Sequence, residues 1–126
     1  LWKYRNSVMA EASLFWSNTP PIRVKMLFFY ELLASLSHMP HSVLLVTKPY
    51  MERRALATFE AQWPDKLLDI RVCSQGGSLG QYCNDEQPLE LVINIMAGDL
   101  QRIIEYPKRG LQSRQRVPVD VRNTYK

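Results

Sequence analysis

Hydrophobic and polar positions repeat along this chain with two periods, and the points where the period changes predict its elements. Val24 to Leu36 is apolar almost all round, interrupted only by Lys25, Glu31 and Ser35, and predicts a helix from Ile22 to His38 buried between other layers. Ser42 to Val46 is a short apolar run, the pattern of a buried parallel strand. Tyr50 to Trp63 then returns to a helical period, with Met51, Ala55, Leu56, Phe59 and Trp63 on one face. In Leu67 to Cys73, Leu68, Ile70 and Val72 alternate with Asp69 and Arg71, as expected of a peripheral, partly exposed strand. Pro88 opens a long helix to about Tyr106 with a stripe of Leu89, Val92, Ile93, Met96, Leu100, Ile103 and Ile104 running past Gly98. Lys3 to Trp16 predicts a further helix, with Val8, Met9, Ala12 and Phe15 on one side. The breaks between elements fall at Ser17-Asn18-Thr19-Pro20-Pro21, at Pro64-Asp65 and at the glycine-bearing loop Ser74 to Gln87.

The most informative junction is Thr47-Lys48-Pro49, between the first strand and the helix after it. Proline cannot extend a strand ladder but suits the start of a helix. Arg53 and Arg54 fall in that helix's first turn, on either flank of its apolar stripe. The helix dipole is already positive there, so two cations cost stability unless an anion compensates them. Ligands of open parallel sheets bind at the carboxyl ends of the strands. Thr47, Lys48, Arg53 and Arg54 are therefore candidate contacts for a small anionic molecule, with Arg54 first among them. The competing reading is an ordinary solvated turn, with Glu52 or Glu60 supplying part of the counter-charge.

Composition narrows the alternatives. The 126 residues fit one domain, and 46% hydrophobic with 22% charged residues is ordinary for a soluble globular chain. The 16 basic and 12 acidic residues leave a net charge of +4, weighted toward Lys108, Arg109, Arg114, Arg116, Arg122 and Lys126. Aromatic residues do not interleave with that run before Tyr125, so it predicts a solvated tail rather than a nucleic-acid interface. Cys73 and Cys83 form no CxxC pair; Cys73 is expected to be a buried small hydrophobe at a strand end. His38 and His41 lack further ligands at metal spacing, and no metal site is expected. No segment reaches the roughly 20 apolar residues of a membrane span, no signal-peptide order appears, and a cytoplasmic rather than secreted protein is expected. The loop glycines Gly76, Gly77 and Gly80 match neither phosphate-loop pattern and predict a mobile connection. Asp99 and Arg102, spaced i, i+3, are expected to pair on the surface. The start at Leu1, and an incipient helix after Pro118, are expected of a piece cut from a longer chain.

The run Val43–Trp63, VLLVTKPYMERRALATFEAQW, resembles the C-terminal half of the YdcF-like (SanA-related) family of uncharacterised Rossmann-like domains. Thr47, Lys48, Pro49, Tyr50, Arg54 and Ala55 match its strand–turn–helix pattern, while Met51 stands where a histidine is common. The run IMAGDLQRIIEYPKRG, Ile95 to Gly110, is similar to the end of the same domain. Residues 42–126 form the recognisable part, and residues 1–41 diverge. Glu11 and Ser17-Asn18-Thr19 are a faint echo of the family's acidic residue and its "STNTxEN"-like element; no first strand or glycine-rich turn is visible. The resemblance implies an α/β fold, Rossmann-like and three-layered with a parallel sheet, here incomplete. It also implies a small anionic or nucleotide-like ligand, with S-adenosylmethionine attributed to some members. A transferase-like or hydrolytic activity would be consistent with it, and Glu11 would be the first general-base candidate. The alternatives are a non-catalytic remnant serving as an interaction domain, and a basic module using the Lys108–Arg116 region to contact acidic partners.

Overall fold

A computed structural model describes residues 22–66 and 69–124. The expected helix from Lys3 to Trp16, Glu11 and the Ser17-Asn18-Thr19 element lie outside the described residues. Within them the order is α1 (Ile22–Ser35), β1 (Ser42–Thr47), a 3-10 turn (Pro49–Met51), α2 (Glu52–Gln62), β2 (Asp69–Ser74), α3 (Leu79–Tyr82), α4 (Leu89–Glu105), a second 3-10 turn (Tyr106–Arg109) and α5 (Val119–Thr124). The protein is α/β, with β1 and β2 paired in parallel.

α1 stops at Ser35, three residues short of the predicted end, because Ser37 adopts left-handed backbone (φ 54°). The His38 amide then donates to the Leu33 carbonyl and the Ser37 amide to that of Ala34, which closes the helix end in the usual two-bond fashion. The same device follows α4, where Gly110 (φ 68°) takes the left-handed position and Leu111 donates back to Tyr106. Glycine meets that backbone without a Cβ clash, and serine does not.

In a parallel ladder, paired residues share a face. Val43 pairs with Ile70 and Leu45 with Val72, and Val43, Leu45 and Ile70 pack against Met26 and Leu33 of α1, Phe59 of α2 and Trp63 just beyond it. Trp63 is the centre of this core at 1% exposure: it stacks on Phe59 (centroids 4.9 Å apart) and meets Tyr30 edge-on at 5.2 Å. Such aromatic geometry adds to the energy of area burial alone. α4 runs beside α2 in the same direction, tied near its middle by Arg54 to Asp99. Beyond its end, Gln62 donates to the Gly110 and Leu111 carbonyls at 3.1 Å.

Two expectations about burial are corrected. β1 is not buried on both faces: Leu44 is 61% and Val46 77% exposed, since the described helices pack on the Val43–Leu45 face. α1 is not enclosed either. Met26 and Leu33 face the core, while Val24, Phe28, Leu32 and Leu36 form an exposed ridge at four-residue spacing. An apolar run fixes how much surface a segment must hide, but it does not supply the neighbour that hides it.

Candidate functional site

The turns that follow β1 and β2 converge at the carboxyl edge of the sheet. Thr47 pairs with Ser74, the last residue of each strand, so both chains leave the sheet at the same level. Lys48-Pro49 turns the first chain into the 3-10 turn, with proline at its start. In the second, Ser78 caps α3 by accepting from the Gln81 amide, while the Gln81 side chain accepts from the Ser78 amide. The loop expected to be a mobile connection thus carries a capped helical turn.

That turn brings Tyr82 edge-on against Tyr50, with centroids 5.8 Å apart and planes at 72°. The Lys48 ammonium lies 6.0 Å from the centre of the Tyr50 ring, at the outer reach of a cation–π contact. Partial burial, and secondarily the neighbouring Tyr50, push the Tyr82 phenol above its ordinary value of 10.0, so it carries its proton at neutral pH. Behind this pair, the Ser74 hydroxyl donates to the Glu52 carboxylate and joins the end of β2 to the first turn of α2. The site therefore offers the Lys48 ammonium, two aromatic faces, phenolic groups and turn backbone.

The sequence-predicted cations go different ways. Lys48 and Arg53 are exposed, and Thr47 is half-buried. Arg54 points from α2 to α4, where its Nη1 donates to Asp99 Oδ1 at 2.7 Å. Arg102 donates to the same oxygen at 3.0 Å. Arg54 therefore has an anion inside the fold. Asp99 supplies the counter-charge that a cation at a helix N-terminus calls for.

The Asp99–Arg102 pair forms at its expected spacing, but Asp99 is not a surface residue: it is 2% exposed. A stripe drawn through Leu100 and Ile104 turns Asp99 toward the surface. The buried positions are Val92, Asp99 and Ile103, which puts the aspartate in phase with the core face. That phase was present in the sequence; a lone acid on an apolar face predicts a buried cationic partner. Tyr50 and Tyr82 were the other residues missed as a pair, since 32 positions separate them and only the capped turn joins them. Cys73, expected to be buried, is half-buried, and β2 continues past it to Ser74.

Among the described residues, no group of three or more His, Cys, Asp or Glu side chains is placed to hold a metal ion. No helix among them is long and apolar enough to cross a membrane.

Over 84 residues the chain is 37% identical to an uncharacterized protein of Streptomyces coelicolor, covering 67% of this chain and 37% of that one. The chain thus corresponds to little more than a third of that relative's length. No protein-family model matches the chain. No solved structure matches it.

Proposed function

We propose that the carboxyl edge of the sheet binds a small anionic ligand bearing a planar ring, a nucleotide-like molecule in chemical terms. The observation that carries this reading is the convergence of Lys48, Tyr50 and Tyr82 where the two strands end. Lysine serves an anion as a point charge, and the tyrosines offer apolar faces with polar tips. Thr47 and Arg53 flank the turn as further contacts, and Arg54 acts as a positioning residue that anchors α2 to α4 through Asp99. S-adenosylmethionine belongs among the ligands to be tried because of the YdcF-like resemblance. On the same grounds the β1–α2–β2 unit is read as part of a Rossmann-like, three-layered sheet, since parallel strand–helix–strand units build such sheets.

The test is thermal unfolding of the purified chain with S-adenosylmethionine, AMP and ribose 5-phosphate, beside Lys48→Ala. A ligand at 100 times its dissociation constant stabilises the native state by about 2.7 kcal/mol. A domain of this size then melts roughly 10 °C higher. The proposal expects one of these ligands to raise the transition and Lys48→Ala to blunt the rise. A transition that none of them moves contradicts it.

The exposed Leu44 and Val46 side chains favour a second reading, a non-catalytic interaction domain. Parallel sheets are ordinarily covered on both faces, and Leu44 and Val46 lie open here. A sedimentation mass that rises with concentration in the wild type but not in Leu44→Thr/Val46→Thr, with no ligand effect on melting, would favour this reading.

A further inference from the structure

We propose a second anion-binding site, separate from the carboxyl edge of the sheet, on the outward face of α4 where the helix runs into its terminal 3-10 turn. A half-open pocket of about 310 Å³ lies there, lined by Gly98, Gln101, Arg102, Glu105, Tyr106 and Arg109. Its volume is at the lower end of those that hold small organic ligands.

Arg102 is oriented by Asp99. Its Nη1 donates to Asp99 Oδ1 at 3.0 Å, and the Asp99 carboxylate is itself 3% exposed and shared with Arg54. Two guanidiniums on one carboxylate leave a net positive charge, and Arg102 is the more exposed of the two. Gly98 forms the floor beneath it: a Cβ at that position would come within 3.3 Å of Arg102 Nη1. A glycine inside a helix costs about 1 kcal/mol relative to alanine, and here that cost makes room for the guanidinium. The cavity's one carboxylate, Glu105, is already engaged, with Lys108 Nζ 2.9 Å from each oxygen. Lys108, and more weakly Arg109 and Arg122, hold its pKa below the usual carboxylate value. Arg109 is exposed and lines the same pocket.

Basic residues in a last helical turn also complement the helix dipole, which accounts for the sign of the charge here. It does not account for a guanidinium oriented by a buried carboxylate above a glycine floor. That arrangement suits an oxyanion, because planar guanidinium groups match phosphate geometry. Tyr106 and Gln101, which also line the pocket, carry hydroxyl and amide groups able to donate. The ligand class is a phosphate group, either free or as the ester of a small molecule.

The test is to titrate the 15N-labelled full chain with inorganic phosphate, and separately with glycerol 1-phosphate, at constant ionic strength held with sodium chloride. The site predicts saturable shifts at the amides of Gly98, Arg102, Tyr106 and Arg109. Arg109→Ala removes one charge-assisted donor and should weaken binding about tenfold or more. Gly98→Ala keeps every charge, yet should weaken binding by crowding Arg102. Lys48→Ala should leave these shifts unchanged, which separates this site from the one at the sheet edge. The spectra also report whether each variant is folded. Tighter binding of glycerol 1-phosphate than of phosphate would identify an ester as the ligand form, and equal binding the free anion. Shifts that spread over Arg114, Arg116 and Arg122 without saturating, or that survive both Arg109→Ala and Gly98→Ala, would overturn the proposal.

Discussion

Replacing Asp99 by asparagine tests the internal anion most sharply. The carboxylate is 3% exposed, and one oxygen accepts from Arg54 at 2.7 Å and from Arg102 at 3.0 Å. Asparagine keeps the size and one carbonyl acceptor but removes the charge. Arg54, with 19% of its side chain exposed, is then left near a positive helix terminus without its carboxylate. Breaking a buried pair by removing one partner costs roughly 3–5 kcal/mol. Because asparagine retains an acceptor and Arg54 has some access to water, about 2–3 kcal/mol is expected for Asp99→Asn. Arg102 is 40% exposed, so Arg102→Ala should cost about 1 kcal/mol or less. Urea unfolding of the two variants, read at unchanged m-value, gives the comparison. The double variant Arg54→Met/Asp99→Leu removes both charges together and should recover much of the Asp99→Asn loss. An Asp99→Asn variant no less stable than Arg102→Ala, or a double variant less stable than Asp99→Asn, would refute this role for the buried carboxylate.

Ser37→Gly should stabilise the protein by up to about 1 kcal/mol: the left-handed backbone costs a non-glycine residue roughly 1–2 kcal/mol, offset in part by glycine's freer unfolded chain. Loss of stability in the melt would contradict that account of the α1 terminus. Glu105 should titrate below its ordinary value of 4.5, and Lys108→Ala should move it upward in a carboxyl-carbon NMR titration, because the Lys108 hydrogen bond is the main cause of the depression. With a depressed folded-state pKa, the pair's contribution is in place above the unfolded value and is lost as pH falls through the folded one. An unchanged titration in Lys108→Ala would show that the bond does not persist in solution.

Local pattern carried the elements but not their surroundings. Proline after Lys48, the helical period from Met51 to Trp63 and the alternation in β2 are decided by residues within a few positions of one another, and those elements appear where they were expected. Small boundary shifts came from backbone events such as the left-handed Ser37, which no apolar spacing signals. The full burial expected of β1 and α1 failed because a sequence states a surface's demand for cover and not its supply. Within the candidate site, the Thr47-Lys48 turn was legible from strand-end logic. The direction of Arg54 was not, because its partner lies 45 residues away. Asp99 could have been found by phasing α4 on Val92 and Ile103, which would have predicted a buried acid in search of a cation. The Tyr50–Tyr82 pair depends on a short capped turn in a glycine-bearing loop, below the length at which periodicity speaks.

Ligand binding at the sheet edge is tested most directly by titrating the 15N-labelled chain with AMP and with S-adenosylmethionine, and repeating the titration on Lys48→Ala. The proposed site predicts saturable shifts centred on Lys48, Tyr50 and Tyr82 for at least one of the two ligands, weakened about tenfold by loss of the charged contact. No saturable shift at those three residues with either ligand, or shifts there that Lys48→Ala leaves untouched, would contradict it.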